Sequence, residues 1–237
     1  VRLQPQNFAA WKMLAELLVD KISPREAEVV LVEALIHHPR HHYLHFLMGA
    51  AMHHQEKLNE ALVSYNVSHS LNASFMPTVA NIAAALQSLG QAKEAMKYYE
   101  LAIPELPTDA GLLNNYGALL GTMGRKDEEI HWLKKALELN PEMEPALVNL
   151  GGYYQDEGYL AEAEVYFTRA LPLSPNPGLL KMRMLLMLSP VSASWQQMVH
   201  ERIKFEDNIG KIAVIPRGGR VQQTGAEGIR NTNTNNA

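Results

Sequence analysis

Small and apolar residues recur along this chain at a spacing that places them on one side of an α-helix. In residues 144–157 such a stripe consists of Leu147, Leu150, Gly151 and Tyr154. In residues 160–173 a second stripe consists of Ala163, Phe167 and Ala170. Spacings of three and four residues are typical of amphipathic helices, whose apolar side packs against a neighbour. The pattern therefore predicts pairs of short helices that contact each other through small residues.

The same positions recur every 34 residues through most of the chain. The end of each unit is marked by Pro5, Pro39, Ala73, Pro107, Pro141 and Pro175. Proline cannot continue a helix, so it separates successive helical pairs. Two ladders of mostly small residues run in register with the prolines: Ala15, Gly49, Ala83, Gly117 and Gly151, and Ala27, Ala61, Ala95, Glu129 and Ala163. The period predicts first helices at 8–20, 42–54, 76–88, 110–122 and 144–157, and second helices at 24–37, 58–71, 92–105, 126–139 and 160–173.

A helical pair repeated at this period resembles the tetratricopeptide repeat, a unit of 34 residues that stacks into a solenoid. The resemblance covers residues 1–175. It implies an all-α, right-handed α-solenoid of five helical hairpins followed by capping helices. The hairpins are expected at residues 8–41, 42–75, 76–109, 110–143 and 144–177.

The segments outside the five hairpins have their own expected roles. Residues 1–7 match the end of a preceding repeat, so further repeats are expected upstream. Residues 178–210 are predicted to form helices that cap the solenoid. Residues 211–237 are rich in glycine, asparagine and threonine, and this composition predicts a disordered tail.

Three residues depart from the repeat pattern. Ala73 replaces a proline, Glu56 replaces the glycine expected in the turn of a hairpin, and Glu129 replaces a small residue. A glutamate at a close contact between helices overfills the space that an alanine would occupy. Glu129 is therefore expected to disturb the packing of the fourth hairpin.

The composition restricts the classes of function. A net charge of -4 and a pI near 6.2 give no general attraction to nucleic acid or to an anionic membrane. The absence of cysteine excludes disulfides and cysteine-based catalysis or metal binding. No apolar run approaches the roughly 18 residues of a membrane span. We expect a protein or peptide partner, neither nucleic acid nor membrane, no cofactor, and a cytoplasmic or nuclear location.

An asparagine ladder is predicted to line the concave face of the solenoid, at Asn81, Asn115 and Asn149. Asparagine is a poor helix former, but its amide can hydrogen-bond the backbone of an extended peptide. One turn further on, the small residues Ala84, Ala118 and Gly152 would let a peptide backbone approach closely. The alternative is that the asparagine amides bridge adjacent repeats.

Met13 and Leu47 take the place of asparagine in the first two hairpins. These hairpins are therefore not expected to extend the ladder. The predicted binding site thus lies in the third, fourth and fifth hairpins.

Residues 113–117, Leu-Asn-Asn-Tyr-Gly, and residues 147–151, Leu-Val-Asn-Leu-Gly, resemble repeats of O-linked N-acetylglucosamine transferases. Residues 183–191 resemble the junction between repeats and glycosyltransferase domain in that family. The resemblance implies that the three asparagines hold substrate peptides. Under this hypothesis the chain is the substrate-recruiting region of such an enzyme, and no catalytic residue lies within it. The alternative is a non-enzymatic adaptor that assembles a multiprotein complex.

Histidines cluster between residues 37 and 54, and His41 and His45 have a spacing that can chelate zinc on a helix. No cysteine or carboxylate pair completes a ligand set, so a solvated cluster with a pH response is the alternative. A clamp for acidic peptide tails is disfavoured, because Glu16 stands where that site would need a positive or neutral group.

Overall fold

The fold is described by a computed structural model in which residues 7–19 and 23–188 are described. These ranges contain eleven α-helices and no strand: α1 Phe8–Leu17, α2 Pro24–His37, α3 His42–His54, α4 Leu58–Leu71, α5 Met76–Ser88, α6 Ala92–Ala102, α7 Ala110–Thr122, α8 Lys126–Leu139, α9 Glu144–Asp156, α10 Leu160–Ala170 and α11 Pro177–Leu188. All belong to one compact unit, residues 1–188. The second unit, residues 189–237, lies outside the described residues, as do most of the predicted cap and all of the predicted tail.

Consecutive helices form five antiparallel pairs, from α1 with α2 to α9 with α10, and each pair also contacts the next. The predicted all-α solenoid is therefore confirmed. Its apolar interior consists of three successive clusters rather than one central core. This arrangement is expected of a repeat fold, in which each hairpin buries its apolar side against its neighbours.

Local signals in the sequence position the ends of the hairpins. The Ser23 hydroxyl accepts a hydrogen bond of 3.3 Å from the Glu26 backbone N–H and so caps α2. In three hairpin turns a glycine adopts positive φ: Gly90, Gly124 and Gly158. In the second hairpin Glu56 takes this left-handed conformation, with φ 60°. That backbone region favours glycine, so the turn at Glu56 carries local strain.

The small residues of the two ladders allow the helices of a hairpin to approach closely. A Cβ atom on Gly49 would lie 2.5 Å from the Tyr65 ring, and one on Gly151 would lie 2.5 Å from the Phe167 ring. Both rings are fully buried. The aromatic side chains therefore occupy the space that the glycines leave open, and this contact fixes the packing of each pair.

Glu129 does not disturb the fourth hairpin as the sequence had led us to expect. Its side chain lies in the space left by Gly121 on α7, at a register position that other hairpins fill with larger residues. The neighbouring Leu133 and Ala136 are fully buried. The glutamate is 8% exposed, and Lys126 Nζ lies 3.5 Å from its Oε2. A small residue on the partner helix thus compensates for the large one.

Helix α11 continues the stack beyond the fifth hairpin. It contacts α10, and its Leu180 and Met187 are buried in the last apolar cluster. The Arg183 guanidinium lies 4.8 Å from the centre of the Phe167 ring, and Arg183 Nε donates a 2.8 Å hydrogen bond to Gln155 Oε1. Arg183 stands 34 residues after Asn149, so it occupies the asparagine position of the next repeat.

Candidate functional site

The first helices of successive hairpins lie side by side and form one face of the solenoid, because α1, α3, α5, α7 and α9 contact one another in order. A groove of about 610 Å³ opens on this face between α1 and α7. It is lined by Glu16, Val19, Tyr43, Phe46, Leu47, Ala50, His53, His54, Tyr65, Asn81, Ala84 and Asn115. Three of the six predicted site residues, Asn81, Ala84 and Asn115, therefore share one groove.

A second cavity of about 160 Å³ adjoins the groove between α5 and α7. Its lining includes Asp109 and Gly111 at the start of α7, together with Asn81 and Asn115. The two asparagines thus stand between two open spaces. A chain lying along the groove would pass both amides.

The other three predicted site residues are not among the linings of these cavities. Ala118 is half-buried on α7, one repeat beyond Ala84. Gly152 is faced by the last-helix arginine, since a Cβ atom there would lie 3.0 Å from Arg183 Nη2. The Asn149 amide is held by a neighbour within the protein. The predicted ladder is therefore divided between an open part and a covered part.

Asn114 connects the asparagines of the last two rungs. Asn149 Nδ2 donates a 2.9 Å hydrogen bond to Asn114 Oδ1, and Asn114 Nδ2 donates a 3.1 Å hydrogen bond to Asn115 Oδ1. Asn114 is 4% exposed. Sequence reasoning missed this residue, although the doubled asparagine at 114–115 is the signal that could have revealed it. The bridging alternative raised from the sequence therefore applies to Asn149.

The three predicted asparagines differ in what their side chains can still bind. Within the described part of the chain, Asn81 makes no side-chain hydrogen bond, so its amide has both donor and acceptor free. Asn115 has its oxygen occupied and its NH₂ group free. Asn149 has its NH₂ group engaged and its oxygen free. The ladder therefore presents a different polarity at each rung.

Aromatic side chains form the end of the groove nearest α1, in hairpins that were not expected to contribute to the asparagine ladder. The centres of the Tyr43 and Phe46 rings are 5.5 Å apart, and Phe75 contacts both rings edge-on at 5.7 and 5.3 Å. Leu47, at the asparagine position of this hairpin, is buried beneath them. Replacing asparagine by leucine thus converts this part of the groove from amide to apolar.

The charge in the groove comes from its α1 end. Among the lining residues, Glu16 is the one acidic side chain, and none is lysine or arginine. Tyr43 Oη donates a 2.6 Å hydrogen bond to Glu16 Oε1. Lys12 Nζ lies 3.7 Å from the same oxygen and 4.9 Å from the centre of the Tyr43 ring. Burial lowers the pKa of His53, with a smaller contribution from His54. His53 is therefore neutral at pH 7.

The histidines do not form a metal site in the described residues, where no group of three or more histidine, cysteine or acidic side chains is arranged to bind a metal ion. His41 and His45 have separate partners. The His41 ring stacks on Phe8 with centres 3.9 Å apart, whereas His45 Nε2 donates to the Pro39 carbonyl oxygen at 2.8 Å. The cluster instead joins α1 to α3 through ring stacking.

The helices in the described ranges are all too short or too polar to cross a membrane.

Two family models match the chain. A model of YpiA-like C-terminal tetratricopeptide repeats matches residues 78–142, and a tetratricopeptide repeat model matches residues 144–177. Protein arginine N-methyltransferase 9 of Homo sapiens is 29% identical over 96 residues, 40% of this chain and 11% of that protein. Photosystem I assembly protein Ycf3 of Prochlorococcus marinus is 36% identical over 81 residues, 33% of this chain and 47% of that protein. The chain thus matches about half the length, or less, of these relatives.

Solved structures share the fold at low sequence identity. PilW, a type IV pilus biogenesis factor, has a TM-score of 0.67 and 19% identity, over 87% of this chain and 98% of that chain. YrrB, described as a tetratricopeptide repeat protein with an unusual peptide-binding site, has a TM-score of 0.53 and 19% identity, over 73% of this chain and 89% of that chain. The period, the helical stack and the family matches together identify a tetratricopeptide repeat protein, a type of scaffold for protein–protein interaction.

Proposed function

We propose that the chain binds an extended segment of a partner protein along the groove between α1 and α7. The observation that carries the proposal is the state of two amides: Asn81 is unpaired within the described part of the chain, and Asn115 keeps its NH₂ group free. Both line the same groove. Amides held on rigid helices can hydrogen-bond a peptide backbone whatever its side chains are.

Asn114 gives this recognition a polarity. It occupies the Asn115 oxygen, so Asn115 offers N–H donors to a carbonyl of the bound peptide. Asn81 can serve either a carbonyl or an N–H group of the same peptide. We therefore regard Asn114 as a positioning residue, which acts through Asn115 and does not itself face the groove.

The repeat geometry sets the spacing of the contacts. Neighbouring helices pack about 8–10 Å apart, and an extended chain advances about 3.3 Å per residue. Asn81 and Asn115 are therefore expected to contact peptide residues about three positions apart. The small side chain of Ala84 leaves room for the peptide backbone beside the first amide, and Ala118 does so beside the second.

The groove is proposed to end at the fifth hairpin. Asn149 spends its NH₂ group on Asn114, and Arg183 faces Gly152. A peptide reaching this point would meet the guanidinium of Arg183 in place of a further amide. Of the predicted site residues, Asn81, Asn115, Ala84 and Ala118 therefore keep a direct role, while Asn149 supports Asn114 and Gly152 accommodates Arg183.

Panning a random peptide library against the full chain tests this function. The double variant Asn81→Ala/Asn115→Ala should retain its helical circular dichroism and bind selected peptides about tenfold more weakly or worse, because two neutral hydrogen bonds contribute about 1–3 kcal/mol. Asn66→Ala is the matched control, since Asn66 is exposed on α4. Equal peptide affinities in the double variant and the control would refute groove binding.

Two biological settings fit such a scaffold. Asn81 and Asn115 retain free amides, as substrate recruitment for an O-linked N-acetylglucosamine transferase-like enzyme would require. The name of the relative Ycf3, an assembly protein, instead favours an adaptor that assembles a complex. The full transcript distinguishes them: a downstream glycosyltransferase domain in frame supports the first setting, and a stop codon without one supports the second.

A further inference from the structure

The aromatic end of the groove already holds a positive charge. The Lys12 ammonium lies 4.9 Å from the centre of the Tyr43 ring and 3.7 Å from Glu16 Oε1. An aromatic face and a carboxylate are the two groups that together favour a cation over a neutral or acidic ligand. The protein thus shows, with its own lysine, which kind of side chain this corner accepts.

Lys12 is a weakly held occupant. The Lys12 side chain is 42% exposed and that of Glu16 is 34% exposed, and the two stand one helical turn apart on α1. Ion pairs of this kind contribute little to stability, because solvent screens them and both side chains lose freedom. A cation brought by a bound peptide can therefore replace Lys12 at small cost.

The carboxylate itself is held in place. The Tyr43 hydroxyl donates a 2.6 Å hydrogen bond to Glu16 Oε1, and Tyr43 in turn packs on Phe46 with ring centres 5.5 Å apart. These half-buried rings can carry the methylene groups of a long side chain while its charged end reaches Glu16. A purely apolar side chain would cover the carboxylate without supplying a partner for it, which is unfavourable.

The neighbouring titratable groups permit a cation at neutral pH. On α3 the imidazoles of His53 and His54 also line the groove. The burial that lowers the pKa of His53 keeps it neutral at pH 7, so it does not oppose a positive ligand. No other acidic or basic residue lines this part of the groove in the described residues.

We propose that the corner formed by Glu16, Tyr43, Phe46, Leu47 and Ala50 binds a lysine or arginine side chain of the peptide. This cation subsite deepens the proposed function and rests on it. Since Leu47 stands one repeat before Asn81, the cationic residue lies about three positions from the peptide residue that Asn81 contacts. The partner is therefore an extended segment with a basic residue at one end and no requirement for charge further along.

Single capped residues test the subsite without the rest of the peptide. N-acetyl-arginine N-methylamide, and its norleucine and glutamate counterparts, are titrated into the full chain while backbone amide signals of Glu16 and Tyr43 are followed by NMR. The arginine probe should give saturable shifts and bind at least severalfold more tightly than the norleucine probe. Equal or tighter binding of norleucine would mean a plain apolar pocket and would overturn the proposal, as would the absence of a saturable arginine shift.

Three variants separate the contributions. Lys12→Ala should strengthen arginine binding about two- to fivefold, because it removes the internal competitor. Glu16→Gln should abolish the preference for arginine over norleucine, whereas Glu33→Gln, on the exposed side of α2, should preserve it. Unchanged arginine binding in both Lys12→Ala and Glu16→Gln would contradict the subsite.

The same probes keep this inference distinct from groove binding as a whole. Asn81→Ala/Asn115→Ala should leave the arginine shift intact, because a single capped residue at the aromatic corner does not reach those amides. Loss of library peptides with retained arginine binding supports both proposals. Retained library peptides with no arginine preference would leave the groove and remove the cation subsite.

Discussion

The third and fifth hairpins carry the same residue at the same register position, yet the two asparagines are in different states. Asn81 faces an open groove with its amide unpaired in the described part of the chain, whereas Asn149 is hydrogen-bonded to Asn114. The small residues one turn later differ in the same way. Ala84 lines the groove, and Gly152 is faced by Arg183.

The difference shows that a repeat position specifies where a side chain starts but not what it meets. A buried asparagine on α7 reaches across to α9, and an arginine on α11 reaches back over it. Neither residue belongs to the repeated pattern. The amide half of the groove is therefore open towards α1 and closed towards α11.

The largest effect is expected from filling a close helix contact in the closed half. Gly151→Leu should lower the free energy of unfolding by about 3 kcal/mol or more, because even a Cβ atom would lie 2.5 Å from the buried Phe167 ring. Urea unfolding followed by circular dichroism measures this. Gly152→Ala, one residue away, is the control and should change stability by less than about 1 kcal/mol, since it meets the flexible end of Arg183.

Removing the amide bridge should also separate the two halves. Asn114→Ala should cost about 1–3 kcal/mol, because Asn149 and Asn115 each lose a hydrogen-bond partner in a half-buried setting. Asn81→Ala should change the free energy of unfolding by less than about 0.5 kcal/mol, because its amide bonds to nothing in the described part of the chain. Similar costs for the two variants would break the comparison.

Acid and base should act on opposite ends of the stack. Burial, together with the charges of His42, His38 and Lys12, lowers the pKa of His41 from its ordinary value of 6.5. The folded state therefore binds fewer protons, and this contribution to stability is present above pH 6.5 and is lost as the pH falls through the lowered pKa. Hydrogen exchange at pH 5 and pH 7 should show the first two hairpins opening more readily at pH 5. Exchange in these hairpins that does not depend on pH, after correction for intrinsic rates, would argue against this.

Glu129 in the fourth hairpin has the reverse dependence. Burial raises the pKa of its carboxyl group above the ordinary 4.5, with Lys126 partly opposing the shift. Its contribution to stability is therefore full below pH 4.5 and is lost as the pH rises through the raised pKa. Glu129→Gln should make the fourth hairpin relatively more stable at pH 7 than at pH 4, in the same exchange measurement. Glu128→Gln, exposed on the same helix, should not.

The smallest effect is expected at the hairpin turns. Glu56→Gly should raise the free energy of unfolding by about 0.5 kcal/mol, because glycine relieves the left-handed backbone at a cost in chain entropy. Gly124→Ala should lower it by about 1 kcal/mol, although nothing lies near its missing side chain. Thermal unfolding of both variants checks this, and a stabilising Gly124→Ala would contradict it.

Most of the fold could be predicted from the 34-residue period. The predicted helix at 76–88 is observed as Met76–Ser88, and that at 110–122 as Ala110–Thr122. These predictions succeed because helix spacing, proline and glycine act locally along the chain. The effect of Glu129 could not be predicted in this way, because the space that accepts it belongs to Gly121 on another helix.

The amino-acid sequence was enough to establish the repeat, the class of fold and the face on which the asparagines stand, because each depends on residues at fixed short spacings. The free or engaged state of each amide emerged with the packed structure. Asn114 and Asn149 are 35 positions apart, and Gly152 and Arg183 are 31 apart. Contacts across such distances depend on how the hairpins stack, and the stacking brings Lys12, Glu16 and Tyr43 together at the open end of the same groove.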